Sequence, residues 1–517
     1  MGLIRYLTIL FLPFFFFACQ DDDDGGTSPG GEVMVSFSNL NEGGTYGGEL
    51  TAQVDARPTE SVSQVSLTFA GETVDSTQST PFKFAIDTRT VADGSHVLEA
   101  EATTRAGESV SEDLTINVSN PLAVLELPVS GGDPGFKGYY YGIHDNEGNL
   151  LKGGSITLGQ EVQVEATQPY PADSVMVSLY YETSEELYIR TFTDADRGAS
   201  WRMNYDQPQP ELADSINIYV TGQSFYGYTA SSGIGTTPDV DNNEYTLPAT
   251  EGTNQYYVTE YVSSGGPRNY EYGTLQDGDT TDHSSLSKTT TTHSVTAPTD
   301  ILVNVSDAYA YHNDIRKALK IKNILGINNP MEFDLPVDDF SNFVLVGNYS
   351  PDIQGNNLGS ILTLAHGSTV PSSFGYSTGS ATTNATGNTL SGTAQQGDAQ
   401  AILYQVSDSP GTSHFEWTVS SSGGLEPLTL EAPSIINQKY PELQNVVWEG
   451  NYSFVIRSDA ISNYREFLDV QRSSIYAYLG DWHYKPSNNL YGEKTILLNP
   501  LISQGSELVI KEFDYTD

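Results

Sequence analysis

Pro81-Phe-Lys-Phe-Ala-Ile-Asp87-Thr88, continued by Asp93-Gly94-Ser-His-Val-Leu-Glu-Ala-Glu-Ala102 and Arg105-Ala-Gly107, is the stretch that decides the fold. Phe82, Phe84 and Ile86 alternate with Lys83 and Ala85, and Leu98, Ala100 and Ala102 alternate with Glu99 and Glu101. A period of two puts the apolar set on one face of an extended strand. Asp93-Gly94 and Ala106-Gly107 supply turn chemistry. Working outward, Val33, Val35 and Phe37, then Val65, Leu67 and Phe69, then Leu114, Ile116 and Val118 repeat the alternation, with Gly43-Gly44 and Gly47-Gly48 between. Such runs, separated by turns, predict a β-sandwich over residues 32–119.

The same residues resemble the bacterial Ig-like domains common in exported proteins. That resemblance implies a spacer or stalk and carries no active-site residues. His96, in the turn entering a strand, reads as structural.

Asn120-Pro121 marks a boundary. Strand patterns continue to about Tyr245, with Val175, Val177, Leu179 and Tyr181 sharing one face and Asp145-Asn146-Glu147-Gly148-Asn149 forming a hairpin tip. Residues 120–247 are therefore expected to form a second β-sandwich. In residues 248–300, Tyr256–Val262 and Tyr270–Leu275 read as strands, but with a polar stretch at Asp277–Lys288 and the run Thr289–Thr292 the region reads as a linker or as a long surface loop inside a larger domain. Asp307–Leu325 reads as a helix capped by Asp307 and ended by Gly326, carrying the basic residues Arg316, Lys317, Lys320 and Lys322 as a solvated face. Residues 301–517 otherwise read as a β-rich C-terminal region, with a loose loop at Gly367–Gly397. The fold class expected is mainly β, in tandem sandwiches.

The N-terminus gives an address. One positive charge at Arg5 precedes an apolar run from Tyr6 to Phe17, too short for the ~20 residues of a membrane span, and then Ala18 and Cys19. Phe16-Phe17-Ala18-Cys19 resembles the lipobox cut by lipoprotein signal peptidase, matching at Ala18 and Cys19 and departing at Phe16 and Phe17. The resemblance implies a signal peptide over 1–18, lipid on Cys19 (the only cysteine of 517 residues) and attachment to the outer membrane. Asp21–Asp24 then forms part of a solvated tether over 19–31, because four adjacent carboxylates repel and cannot pack. The acidic run also resembles the export signal that sends Bacteroidota lipoproteins to the cell surface.

With 23 basic and 66 acidic residues the formal net charge is −43. Nucleic acid is excluded as a partner, since phosphate binding needs clustered Lys and Arg. The histidines at 96, 144, 283, 293, 312, 366, 414 and 483 show no zinc spacing. Ser285-Leu-Ser-Lys288 matches the Ser-x-x-Lys pattern of acyl-enzyme hydrolases, but in a polar stretch rather than at a helix start. No cofactor and no catalytic residue is expected. Asp239, Asp241 and Asn243 resemble the start of a calcium loop without its glycine or closing Glu, and Asp277, Asp279 and Asp282 form a similar group. Tyr476, Tyr478, Trp482 and Tyr484 share one parity, so a strand there would present an aromatic face suited to the apolar faces of sugars.

The expected function is that of a lipid-anchored, cell-surface, non-enzymatic binding or adhesion protein, with glycan or another surface protein as partner. Its arrangement is similar to that of outer-membrane starch-binding lipoproteins. Two alternatives stand beside it: an anchored β-fold glycoside hydrolase or lyase, and a structural envelope lipoprotein without a small ligand.

Overall fold

The computed structural model describes residues 33–128, 136–203, 211–221, 228–233, 235–237, 244–260, 268–298, 301–324, 329–351, 358–408, 414–473 and 507–514. The fold is mainly β. Two compact units make it up: Met1–Ile86 with Ser95–Asn117, and Asp87–Gly94 with Val118–Asp517. Among the described residues no helix is long and apolar enough to cross a membrane.

The first unit is a sandwich of the kind its alternation predicts. Met34–Phe37, Glu49–Arg57 and Phe82–Asp87 form one sheet, and Thr45–Tyr46, Ser109–Val118, Gly94–Thr104, Val62–Phe69 and Glu72–Thr77 form the other. Phe82, Phe84, Val65, Leu67, Leu98 and Ala100 are buried while Lys83 and Ala85 face solvent. Burying such a face contributes roughly 1.5–3 kcal/mol for each large side chain.

The second unit is organised by one twelve-stranded sheet. In spatial order its strands are Leu150–Ile156, Gly138–His144, Ser174–Glu182, Leu187–Asp196, Phe415–Ser421, Ala401–Ser407, Gly450–Ser458, Glu507–Asp514, Leu358–Gly367, Asn342–Pro351, Ile301–Tyr311 and Leu319–Ile324. Strands from 120–247 thus join strands from 301–517, through the parallel pair Leu187–Asp196 and Phe415–Ser421. Both faces of the sheet are covered. Val175, Val177, Leu179 and Tyr181 lie in one core with Leu125, Trp201 and Phe467, while Met176 and Tyr180 lie in another with Leu390, Leu428 and Ile436.

Two-sided burial explains where the structure departs from sequence expectation. Residues 307–324 form no α-helix. They belong to the strands Ile301–Tyr311 and Leu319–Ile324, joined across one 3-10 turn at Ile315–Lys317. Ala308 and Ala310 pack into one core and Tyr309 and Tyr311 into the opposite one, so positions 308–311 are all apolar and show no alternation. Asp307 is not a cap; it lies buried 3.5 Å from Lys320, which takes that lysine out of any solvated face. Between 248 and 300 the two expected strands are present as Thr253–Glu260 and Asn269–Gln276, and Thr280–His283 and Thr291–Val295 are further strands where the polar stretch and the threonine run read as loop. The threonine run is polar yet β-prone, and Thr292 donates to Asp334 at 2.6 Å. Within 367–397, Ser380–Thr386 and Thr389–Gln395 form a hairpin.

Candidate binding cleft

Cys19, the calcium candidates Asp239, Asp241 and Asn243, and the aromatic set Tyr476, Tyr478, Trp482 and Tyr484 lie outside the described residues. The second acidic group is a turn. Asp277 Oδ1 accepts from Gly252 N at 2.9 Å, Asp279 Oδ2 accepts from Gln276 N at 3.3 Å, and Gly278 between them takes φ +80°. Among the described residues no three His, Cys, Asp or Glu side chains converge as metal ligands. Ser285–Lys288 opens no helix, and Lys288 Nζ pairs with Asp339 Oδ1 at 2.8 Å.

What the structure does bring together is a cleft of about 330 Å³ at the edge of the large sheet. It is lined by Leu122, Leu150, Leu151, Thr167, Gln168 and Tyr170, with the backbone of 166–170 as one wall. Its size falls at the small end of the ~300–1,000 Å³ of small-ligand sites. Leu150 and Leu151 begin the edge strand Leu150–Ile156. That strand is seated by Gly153, where a Cβ would stand 2.5 Å from Pro433 Cγ.

The wall of 166–170 is held at both ends. At one end, Asp93 Oδ2 accepts from Ala166 N at 3.0 Å while its Oδ1 accepts from Asn120 N at 2.6 Å. At the other, Tyr170 N donates to Arg89 O at 3.2 Å and Tyr170 O accepts from Arg197 Nη1. Arg197 Nη2 reaches Asn120 O at 2.5 Å, and Tyr170 Oη donates to Ser174 O at 2.7 Å. Pro169 and Pro171 fix φ on either side of Tyr170. Thr167 and Gln168 are left exposed between the two anchors. A wall fixed before binding loses little conformational entropy when a ligand arrives.

Chemically the lining is neutral. Its one ionisable side chain is Tyr170, whose phenol burial pushes above its ordinary value, so it stays uncharged. Arg197 stands 5.7 Å from the Tyr170 ring centroid. The neighbouring Arg89 is spent on Asp87, 2.9 Å from its Nε, and on Asp173. Its hydrogen bond holds the Asp87 carboxyl below the usual carboxylate range. Such a site offers apolar contact, one ring and amide and hydroxyl hydrogen bonds. It offers no proton at neutral pH.

Two polar clusters elsewhere are closed. Glu182 Oε2 accepts from Lys439 Nζ at 2.5 Å and from Tyr140 Oη at 2.9 Å. Burial raises the Glu182 pKa, but the bonds from Lys439, Tyr440 and Tyr140 outweigh it and leave it lowered. Lys439→Met should cost about 1–2 kcal/mol in urea unfolding, below the full penalty of a broken buried pair because Lys439 is half-exposed. An unchanged midpoint would show that Glu182 rehydrates freely. Beside His144, Ser178 and Thr191 lies a chamber of about 10 Å³, the size of a single water and no more.

The cleft was not foreseen in the sequence. Pro169-Tyr170-Pro171 is the signal that could have found it, because two prolines hold an aromatic side chain on a loop.

No family model matches the chain, and no curated protein matches it in sequence. Among solved structures, a Bacteroides ovatus protein, SGBP-B of a mixed-linkage glucan utilization locus, in complex with a mixed-linkage heptasaccharide, is similar at 12% identity over 62% of this chain and 97% of that one, with a TM-score of 0.17. The fibronectin(III)-like modules of Clostridium thermocellum CbhA match at 19% identity over 16% of this chain and 94% of theirs, with a TM-score of 0.15. An endo-β-1,4-mannanase from Thermotoga petrophila matches at 16% identity over 17% of this chain and 20% of its own, also at 0.15. At TM-scores this low, the likenesses decide nothing about what this chain does.

Proposed function

We propose that this protein is a lipid-anchored, cell-surface glycan-binding protein that captures its ligand without chemistry, through the cleft around Tyr170. The observation that carries this reading is the fixed wall of 166–170, which holds a tyrosine, a free carboxamide and a free hydroxyl beside Leu150 and Leu151. Sugars present apolar C–H faces and a rim of hydroxyls, and an aromatic ring with a few polar neighbours matches both. A neutral lining supports binding over hydrolysis, which needs a general acid. Anchoring through Cys19 and display at the cell surface rest on the N-terminal sequence.

The full chain, purified in a polyoxyethylene detergent, is to be run through native gels containing different polysaccharides. Retardation by at least one is expected, and Tyr170→Ala should weaken it roughly tenfold or more, about 1.4 kcal/mol. Free migration through every gel would count against glycan binding. Protease shaving of intact cells tests the display: a chain left untouched would place it on an inner face.

A further inference from the structure

Resting on that reading of the cleft, we infer that its ligands are uncharged glycans, and that uronic-acid and sulfated polysaccharides are turned away. The lining contains no cation: Leu122, Leu150, Leu151, Thr167, Gln168 and Tyr170 are all neutral. Both guanidinium groups behind the wall already have oxygen partners. Arg197 donates to the carbonyls of Tyr170 and Asn120, and Arg89 to the carboxylates of Asp87 and Asp173. A carboxylate or sulfate entering the cleft would lose water and gain no charged hydrogen bond.

The surroundings add repulsion. Glu431 accepts from Leu150 N at 2.8 Å, at the start of the edge strand. Asp145 acts on Tyr170 through its charge, and Asp173 and Glu165 are exposed on the loop that carries the wall. Lys152 is the one exposed cation on the edge strand. Beyond these, the chain bears a net −43, which opposes the approach of any polyanion within a Debye length of about 8 Å at physiological salt. Rejection by unpaired or like charge is how a site can select without added contacts.

The test measures binding of the full chain in detergent to immobilised polysaccharides of two classes, at low and at high salt. Neutral probes are galactomannan, xyloglucan, starch and mixed-linkage β-glucan; anionic probes are alginate, polygalacturonate and chondroitin sulfate. Expected is retention on a neutral probe at least about tenfold above every anionic one, little changed by salt and reduced by Tyr170→Ala. Tyr170-dependent binding to an anionic probe would overturn the inference while leaving glycan capture standing. Binding of a neutral probe that ignores Tyr170→Ala would overturn the assignment to this cleft. Silence on every probe of both classes would overturn the inference and the glycan reading together.

Discussion

Replacing Arg268 by methionine is expected to lower the stability of the second unit by about 3–5 kcal/mol. Arg268 Nε lies 3.3 Å from Asp334 Oδ2, and their side chains are 9% and 0% exposed. Asp334 belongs to Met331–Leu335, which pairs with Thr291–Val295, and Thr292 donates to it at 2.6 Å. Removing the guanidinium takes this cation from a fully buried carboxylate, which keeps its bond from Thr292. The double variant Arg268→Met with Asp334→Asn should recover part of the loss, because the buried charge goes with its partner. The readout is favourable. The four tryptophans, at 201, 417, 448 and 482, all fall in the second unit, so their fluorescence in urea reports on that unit alone. A single variant within about 0.5 kcal/mol of the native chain would mean that Asp334 finds water on its own.

The second large effect concerns acid. His144 ends the strand Gly138–His144, is 3% exposed, and places Nδ1 3.2 Å from Gly148 O, with Nε2 buried and unpartnered. Burial lowers its pKa to about 4 from an ordinary 6.5, against the opposing pull of the Gly148 carbonyl, Glu431 and Asp145. The folded chain therefore keeps the ring neutral where the unfolded chain protonates it. Stability from this group is complete above pH 6.5 and falls as the pH drops from 6.5 towards 4, by about 3 kcal/mol in all. His144→Gln removes the titration, so the native chain should lose about 2–3 kcal/mol more than the variant between pH 7 and pH 4.5. Parallel stability curves for the two would show that the ring is protonated in place.

The first sandwich was legible because its strands bury one face only. Val65, Leu67 and Phe69 sink while their neighbours stay out, and alternation survives in the residue order. Residues 308–311 were not legible for the opposite reason. With Ala308 and Tyr309 buried on opposite sides, the strand has no polar face to mark its period. The parallel pairing of Leu187 with Phe415 joins positions far apart in the chain, and no local pattern records it. The cleft is of the same kind. Asp93, Asn120, Ala166, Tyr170 and Arg197 meet through hydrogen bonds from side chain to backbone across long stretches of chain, which no local pattern records. Only the proline-flanked Tyr170 left a trace in the sequence.

The most direct measurement is titration of the full chain and of Tyr170→Ala with the neutral polysaccharide that retards the protein most, alongside a melting curve for each. Glycan capture at the cleft predicts binding weakened roughly tenfold or more in the variant, with both proteins folded at the temperature of the titration. Equal affinity in the two proteins, with both folded, would contradict it and move the site away from Tyr170.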